Sequence, residues 1–277
     1  MLCGKSGYGK TTITKLINGL IPHFTMGDLS GETYVDDMLV ADTPMYRISE
    51  KVGSVFQNPK AQFFNIDSDS ELAFGLENNG VPPERIRQQV AKTVQQLHIE
   101  HLLQRNIFSM SGGEKQTLTF ASVYAMNLDI YILDEPSANL DSAATLTLGE
   151  QLKYIKAQGK SIVIAEHRLY YLADIIDRAL FIVEGKGIKE YSREEFLSLS
   201  DETRRRMGLR TLQQIKPAYR KASNTSGELE VKALTVFDKK RIIFEKVSFS
   251  ISSGEILGFL GANGVGKTTL MRCVAGL

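Results

Sequence analysis

Two stretches at opposite ends of the chain have the residue types and spacing to hold phosphate. The first is Gly4-Lys5-Ser6-Gly7-Tyr8-Gly9-Lys10-Thr11-Thr12, and the second is Gly261-Ala262-Asn263-Gly264-Val265-Gly266-Lys267-Thr268-Thr269. Both fit G-x-x-x-x-G-K-[ST], the pattern of a loop that cradles a nucleoside triphosphate. The glycines let the backbone turn tightly enough for several N–H groups to face one anion. The helix that follows adds the positive end of its dipole. Lys10 is expected to reach the β- and γ-phosphates and Thr11 to ligate Mg2+. Lys267 and Thr268 are the matching pair in the second copy. The alternative, a Gly-rich turn with a surface lysine, would have to arise twice.

A carboxylate pair, Asp134-Glu135, closes the apolar run Ile130-Tyr131-Ile132-Leu133. Such a run suits a strand buried on both faces of a parallel sheet, and open α/β sheets bind their ligands at the C-terminal strand ends. The pattern around it predicts helices over 11–20, 69–78, 83–97, 111–126 and 142–158, and strands over 52–56, 161–165 and 178–183. Residues 31–40 are β-rich with a turn at Asp36-Asp37, and a turn is expected at 184–187. In the 83–97 helix, Ile86, Val90, Val94 and Leu97 recur at helical spacing and read as core. Strand–helix alternation implies a doubly wound α/β core, interrupted by an inserted helical subdomain between residues 69 and 111.

The whole chain sets further bounds. Its 277 residues give room for one large domain or two small ones. A net charge of +1 gives no electrostatic case for nucleic acid as the main partner. Two cysteines, Cys3 and Cys273, form neither a disulfide framework nor a zinc site and suit a reducing compartment. No apolar run approaches the length that spans a bilayer, and no export signal is expected at Met1.

In this order the motifs resemble those of the nucleotide-binding subunit of an ABC transporter. Gly4 to Thr12 resembles the Walker A loop, Gln57 the Q-loop glutamine, and Met110-Ser111-Gly112-Gly113-Glu114 the L-S-G-G-Q signature. Asp134 resembles the Walker B aspartate, Glu135 the catalytic glutamate, Ser137-Ala138-Asn139-Leu140-Asp141 the D-loop, and His167 the switch histidine. Within that family, the stretches from Val55 to Phe64, Glu71 to Asn78 and Ala165 to Leu169 resemble energy-coupling-factor ATPases, some of which fuse two cassettes in tandem. The signature departs from the pattern at Met110 and Glu114, and Thr117 stands where the family usually has arginine.

The resemblance implies a P-loop α/β fold with a parallel sheet, an inserted helical subdomain and an antiparallel β layer. It implies ATP and Mg2+ as cofactors. Asp134 joins Thr11 at the metal, Gln57 touches the metal or the attacking water and reports occupancy to the membrane partner, Glu135 polarises the attacking water, and His167 hydrogen-bonds the γ-phosphate. Ser111, Gly112, Gly113 and Glu114 meet the nucleotide of an opposite cassette. Asp141 caps the next helix, lies at the cassette interface, or does both. Phe63 and Phe64 are packing residues or contacts to a membrane subunit, and Arg204-Arg205-Arg206 reads as a solvated helix face. The implied partners are a transmembrane transporter subunit and a second ABC ATPase domain, with no nucleic acid. The implied location is the cytoplasmic face of the membrane.

Three segments are expected. Residues 1–199 are an ABC ATPase domain without its N-terminal β segment, 200–227 are a polar linker, and 228–277 begin a second such domain. Strands are expected over 228–231, 242–251 and 256–260, with Phe237 as an adenine-stacking aromatic or a core residue. The linker, extended, reaches on the order of 90 Å, so the last segment is expected to fold back and supply the missing β layer. Three functional readings stand at this point. They are an ATP-hydrolysing subunit of a micronutrient importer, a truncated chain that binds nucleotide without turnover, and a soluble ABC protein acting on nucleic acid or ribosomes.

Overall fold

The computed structural model describes residues 1–183, 187–213, 229–238 and 241–276. The chain divides into two compact units, Met1–Gln214 and Ile215–Leu277.

The first unit is built on a six-stranded sheet. In chain order it contains β1 (Leu2–Cys3), α1 (Lys10–Ile17), α2 (Leu20–His23), β2 (Tyr34–Val35), β3 (Met38–Leu39), α3 (Met45–Ser49) and β4 (Val52–Val55). Then come α4 (Ser68–Asn78), α5 (Pro83–Leu97), α6 (Gly112–Ala125), β5 (Ile130–Asp134), α7 (Ser142–Ala157) and β6 (Ser161–Ala165). β7 (Arg178–Val183), β8 (Gly187–Ser192), α8 (Arg193–Ser198) and α9 (Asp201–Arg206) complete it. The strand order is β4-β5-β6-β1-β7-β8. The pairs from β4 through β7 are parallel, and β8 returns antiparallel to β7. Strands β2 and β3 form a separate hairpin around Asp36, whose φ of 49° supplies the turn.

The apolar run over 130–133 becomes the strand it predicts. Tyr131, Ile132 and Leu133 are buried because β4 and β6 pair on either side and helices cover both faces. α6 approaches β4 so closely that a Cβ on Gly53 would lie 2.6 Å from the Val123 side chain. The helices between residues 68 and 125 pack on one another as the expected subdomain, with Leu76, Ile86 and Ala125 at their shared core. α4 starts one residue before the expected point because Asp67 caps it, accepting the Ser70 N–H.

Several expectations need correction. The three arginines of α9 are not all solvated. Arg204 is buried and donates to the carbonyls of Phe196 and Leu197, whereas Arg206 is exposed and pairs with Glu202. Helical period explains the split, since only one of three consecutive residues faces inward. The first compact unit also carries α9 and the buried Leu209 within the span expected as linker. Residues 214–228 and the turn residues 184–186 lie outside the described residues.

The second unit holds β9 (Leu229–Asp238), β10 (Arg241–Ile251) and α10 (Lys267–Val274). β9 and β10 form an antiparallel ribbon with irregular register. Residues 256–260 do not form the expected strand; Ile256 is 97% and Leu260 85% exposed. Their counterpart, β1, is a strand because β6 and β7 pair with it on both sides. No described strand pairs with 256–260, and an unpaired parallel strand leaves its backbone groups unmet.

Candidate nucleotide-binding and hydrolysis site

Four segments leave the C-terminal ends of parallel strands: the first Gly-rich loop from β1, Gln57 after β4, Glu135 after β5 and His167 after β6. The loop needs glycine where it is tightest. Gly4 has φ 144°, and a Cβ there would stand 2.7 Å from the Ile182 carbonyl oxygen. Gly7 and Gly9 have φ 84° and 92°, which side chains disfavour. No side chain caps α1, so its first-turn N–H groups are available to an anion.

Lys10 is buried, and its ammonium donates to the carbonyls of Gly4 and Lys5, each at 3.0 Å. Burial lowers its pKa, and the nearby charges of Glu135 and Asp134 oppose that shift. Ser6, Thr11 and Thr12 are exposed at the loop surface, and Tyr8 packs against Leu2, Ala165 and Ile182.

Glu135 is the point on which three site residues converge. Gln57 Nε2 donates to its Oε2 at 2.9 Å, and His167 Nε2 lies 3.2 Å from its Oε1. Its backbone has φ 48°, a conformation disfavoured for a non-glycine residue, and its N–H donates to the Ala165 carbonyl at 2.8 Å. Next to it Asp134 is 5% exposed, and its Oδ1 has no hydrogen-bond partner. A buried, unpartnered carboxylate oxygen suits a bound cation or its water. Among the described residues there is no cluster of three or more His, Cys, Asp or Glu that could hold a metal alone. That arrangement fits Mg2+, which takes one or two carboxylates together with phosphate oxygens and water. Asp134, with Thr11 and the amide oxygen of Gln57, would hold it.

The signature residues form a helix start. Ser111 caps α6, its side chain accepting the Glu114 N–H at 3.3 Å, while Glu114 Oε2 accepts the Ser111 N–H at 2.7 Å. Glu114 also pairs with Arg105. Burial would raise the Glu114 pKa, but the hydrogen bonds from Arg105 and Ser111 outweigh it and hold the carboxyl below its usual range. This gives the glutamate at the usual glutamine position a partner of its own. Gly112 and Gly113 form the first turn, and Met110 is buried beneath it. Asp141 caps α7, accepting the Ala144 N–H at 2.9 Å.

In the second loop, Gly261, Gly264 and Gly266 repeat the left-handed backbone with φ 157°, 81° and 94°. Lys267 donates to the carbonyls of Gly261 and Ala262, as Lys10 does to Gly4 and Lys5. Asn263 and Thr268 are exposed and Thr269 is half-buried. Phe237 on β9 is 62% exposed. Gln57, Asp134, Glu135 and His167 all belong to the first unit.

Reasoning from sequence missed several residues that hold the site. Gln62 accepts the Phe56 N–H at 2.9 Å and donates to the Ser54 carbonyl at 2.7 Å. Its amide thus pairs with the free edge of β4 like a neighbouring strand and fixes the segment that carries Gln57. Glu71 is buried on α4 and accepts the N–H groups of Phe64 and Asn65 at 3.1 and 3.0 Å. The two phenylalanines there separate. Phe63 packs against the core, while Phe64 is 73% exposed and stacks on Phe74. Gln62 and Glu71 lie in the stretches Val55 to Phe64 and Glu71 to Asn78, whose resemblance marked the segments but not these side-chain roles.

A Gly-rich loop on a helix N-terminus, a buried lysine within it, and two carboxylates at the end of β5 in the same parallel sheet define a P-loop nucleotide-binding protein. The chain belongs to the ABC transporter family, whose model matches residues 1–138 and 244–277. A candidate ABC transporter ATP-binding protein of Treponema denticola is 45% identical, covering all of this chain and 58% of the relative. A similar protein of Saccharolobus solfataricus is 32% identical over all of this chain and 56% of its own length. The chain thus spans little more than half of these curated relatives. Among solved structures, cbiO1 of Clostridium perfringens, part of the ABC transporter complex cbiONQ, matches with a TM-score of 0.61 at 27% identity. That match covers 74% of this chain and 80% of cbiO1. The ATP-binding cassette MJ0796, in a dimeric post-hydrolysis state with ADP and Pi, shares the fold with a TM-score of 0.61 at 22% identity, over 69% of this chain and 84% of that one.

Proposed function

We propose that this chain binds and hydrolyses ATP at the first Gly-rich loop and so drives an ABC transporter of the energy-coupling-factor type. The carrying observation is that Gln57 and His167 both reach Glu135, beside the buried Lys10 and the unpartnered oxygen of Asp134. In this reading the loop amides and Lys10 hold the β- and γ-phosphates, and Glu135 orients the attacking water. The water oxygen bonds to the γ-phosphorus, the bond to the β,γ-bridging oxygen breaks, and Glu135 receives the released proton. His167 donates to the transferred phosphoryl group. Bound Mg2+ would neutralise charge developing between the two phosphates. Gln57 reports occupancy of the site.

The signature at Ser111–Glu114 is proposed to serve the nucleotide of a second cassette, so that ATP lies between two domains. A transmembrane subunit receives the motion, which places the chain at the cytoplasmic membrane face. No helix among the described residues is long and apolar enough to cross a membrane. The likeness to cbiO1 and the Val55–Phe64 and Ala165–Leu169 stretches favour import of a vitamin, cofactor precursor or metal ion. The reading of the first unit as one such cassette and of the second unit as the start of another belongs to the same proposal. So does a role for Phe237 on adenine. ATPase assays with and without the membrane partner test it: hydrolysis stimulated by the partner supports the reading. Nucleotide binding without turnover in either case points instead to a non-hydrolysing fragment.

A further inference from the structure

The chemistry above gives no role to Glu166, although it sits between two of the site's strand ends. It follows the last residue of β6 and is 2% exposed. A carboxylate so buried is tolerated only when its oxygens are hydrogen-bonded. Here each oxygen accepts from two donors. Oε1 takes the N–H groups of His167 at 2.7 Å and Arg168 at 2.9 Å. Oε2 takes the N–H of Ser137 at 3.3 Å and the phenol of Tyr171 at 2.8 Å. The first two amides belong to the loop that carries the switch histidine. The third belongs to the loop that carries Glu135. Two further bonds tie the same loops together: Glu135 N–H to the Ala165 carbonyl at 2.8 Å, and the Arg168 guanidinium to the Leu140 carbonyl at 2.8 Å. Tyr171 is itself buried. Burial, followed by the charge of Glu166, raises its phenol well above the ordinary value, so it remains a donor.

We infer that Glu166 is a positioning residue for hydrolysis: its carboxylate, locked by Tyr171, holds the histidine loop in register with the Glu135 loop, so that the two side chains meet. This rests on the ATPase reading above. The chemistry calls for a carboxylate rather than an amide, because every partner is a donor. In Glu166→Gln, one oxygen can still serve two donors, while the new NH2 group faces the other two. Tyr171 can turn its hydroxyl to accept, but the Ser137 N–H cannot.

Steady-state hydrolysis and amide hydrogen exchange on the full chain test the inference together. Glu166→Gln is expected to lower kcat about 10- to 100-fold while KM for MgATP stays within about threefold. In a His167→Ala background the same substitution is expected to cost less than about threefold, because its effect runs through the histidine loop. Exchange at residues 137, 167 and 168 is expected to quicken by about tenfold or more while β5 stays protected. Tyr171→Phe keeps the carboxylate and loses one donor, so a kcat loss of about 3- to 10-fold is expected. Wild-type kcat in Glu166→Gln, an equal loss in both backgrounds, or unchanged exchange at these amides would overturn the inference. If the unsubstituted chain hydrolyses no ATP, the ATPase reading fails, and the exchange measurement alone decides the role of Glu166. If Glu166→Gln does not fold, Tyr171→Phe decides it by the same two readouts, and wild-type values in both overturn it.

Discussion

Gln62 offers a sharp way to separate support of the site from the site itself. Its amide oxygen accepts the Phe56 N–H and its NH2 donates to the Ser54 carbonyl, so one side chain continues the sheet beyond the edge strand β4. Gln57 follows at once and reaches Glu135 across 2.9 Å. Gln62→Leu keeps the volume and removes both bonds. Each half-buried bond contributes about 0.5–1.5 kcal/mol net, so about 1–3 kcal/mol of stability should be lost in urea unfolding. Gln62→Glu is the more informative variant. One carboxylate oxygen still accepts from Phe56, but the other faces the Ser54 carbonyl with no proton to donate, so the loss should match or exceed that of leucine. Turnover should fall about tenfold in both, because Gln57 loses its alignment while Lys10 and the loop are untouched. ATP affinity should hold within about threefold. If Gln62→Leu retains both stability and turnover, the strand-like pairing has no energetic weight. If Gln62→Glu is more stable than Gln62→Leu, the assignment of donor and acceptor is wrong.

The remaining predictions concern the pairing at the signature, the core and the two loops. Glu114→Gln should cost about 0.5–1.5 kcal/mol at neutral pH. Its lowered pKa means that the stabilisation is present above the ordinary carboxyl value of 4.5 and is lost as pH falls through the lower folded value. Wild type and variant should therefore converge in acid-series unfolding, and a gap that widens in acid would contradict the pairing. Leu133→Ala, at a fully buried site in β5, which has a strand on each side, should destabilise by about 2–5 kcal/mol in denaturant unfolding. Lys10→Ala should abolish hydrolysis, whereas Lys267→Ala should leave turnover within about twofold, since the catalytic residues accompany only the first loop; equal losses from the two would refute the assignment of chemistry to Lys10.

Much of this site was readable because its chemistry is local. The Gly-rich loops need glycine at fixed offsets, and the same left-handed backbone recurs in both copies. The apolar run at Ile130–Leu133 announced a strand buried on both faces, with Asp134 and Glu135 at its end. What escaped depends on how the chain turns between elements, which no helical or strand period states. Residues 256–260 are as apolar as a strand, yet a parallel strand also needs neighbours, and among the described residues β1 has them while this stretch does not. Arg204 looked like the arginines beside it until a helix turned it toward the carbonyls of Phe196 and Leu197. Gln62, Glu71 and Glu166 are polar residues whose partners lie on other loops and strands, so their roles follow from tertiary placement and not from local pattern.

Glu135→Gln tests the central claim most directly, that Glu135 orients water for ATP cleavage in a site completed by a second cassette. The substitution keeps the side-chain volume and removes the charge between Gln57 and His167. Hydrolysis should fall by about 100- to 10,000-fold, about 3–5 kcal/mol in the barrier. With MgATP the variant should elute from gel filtration as a nucleotide-dependent dimer that retains uncleaved ATP. A variant that still turns over ATP, or that binds ATP and remains monomeric, would contradict the account.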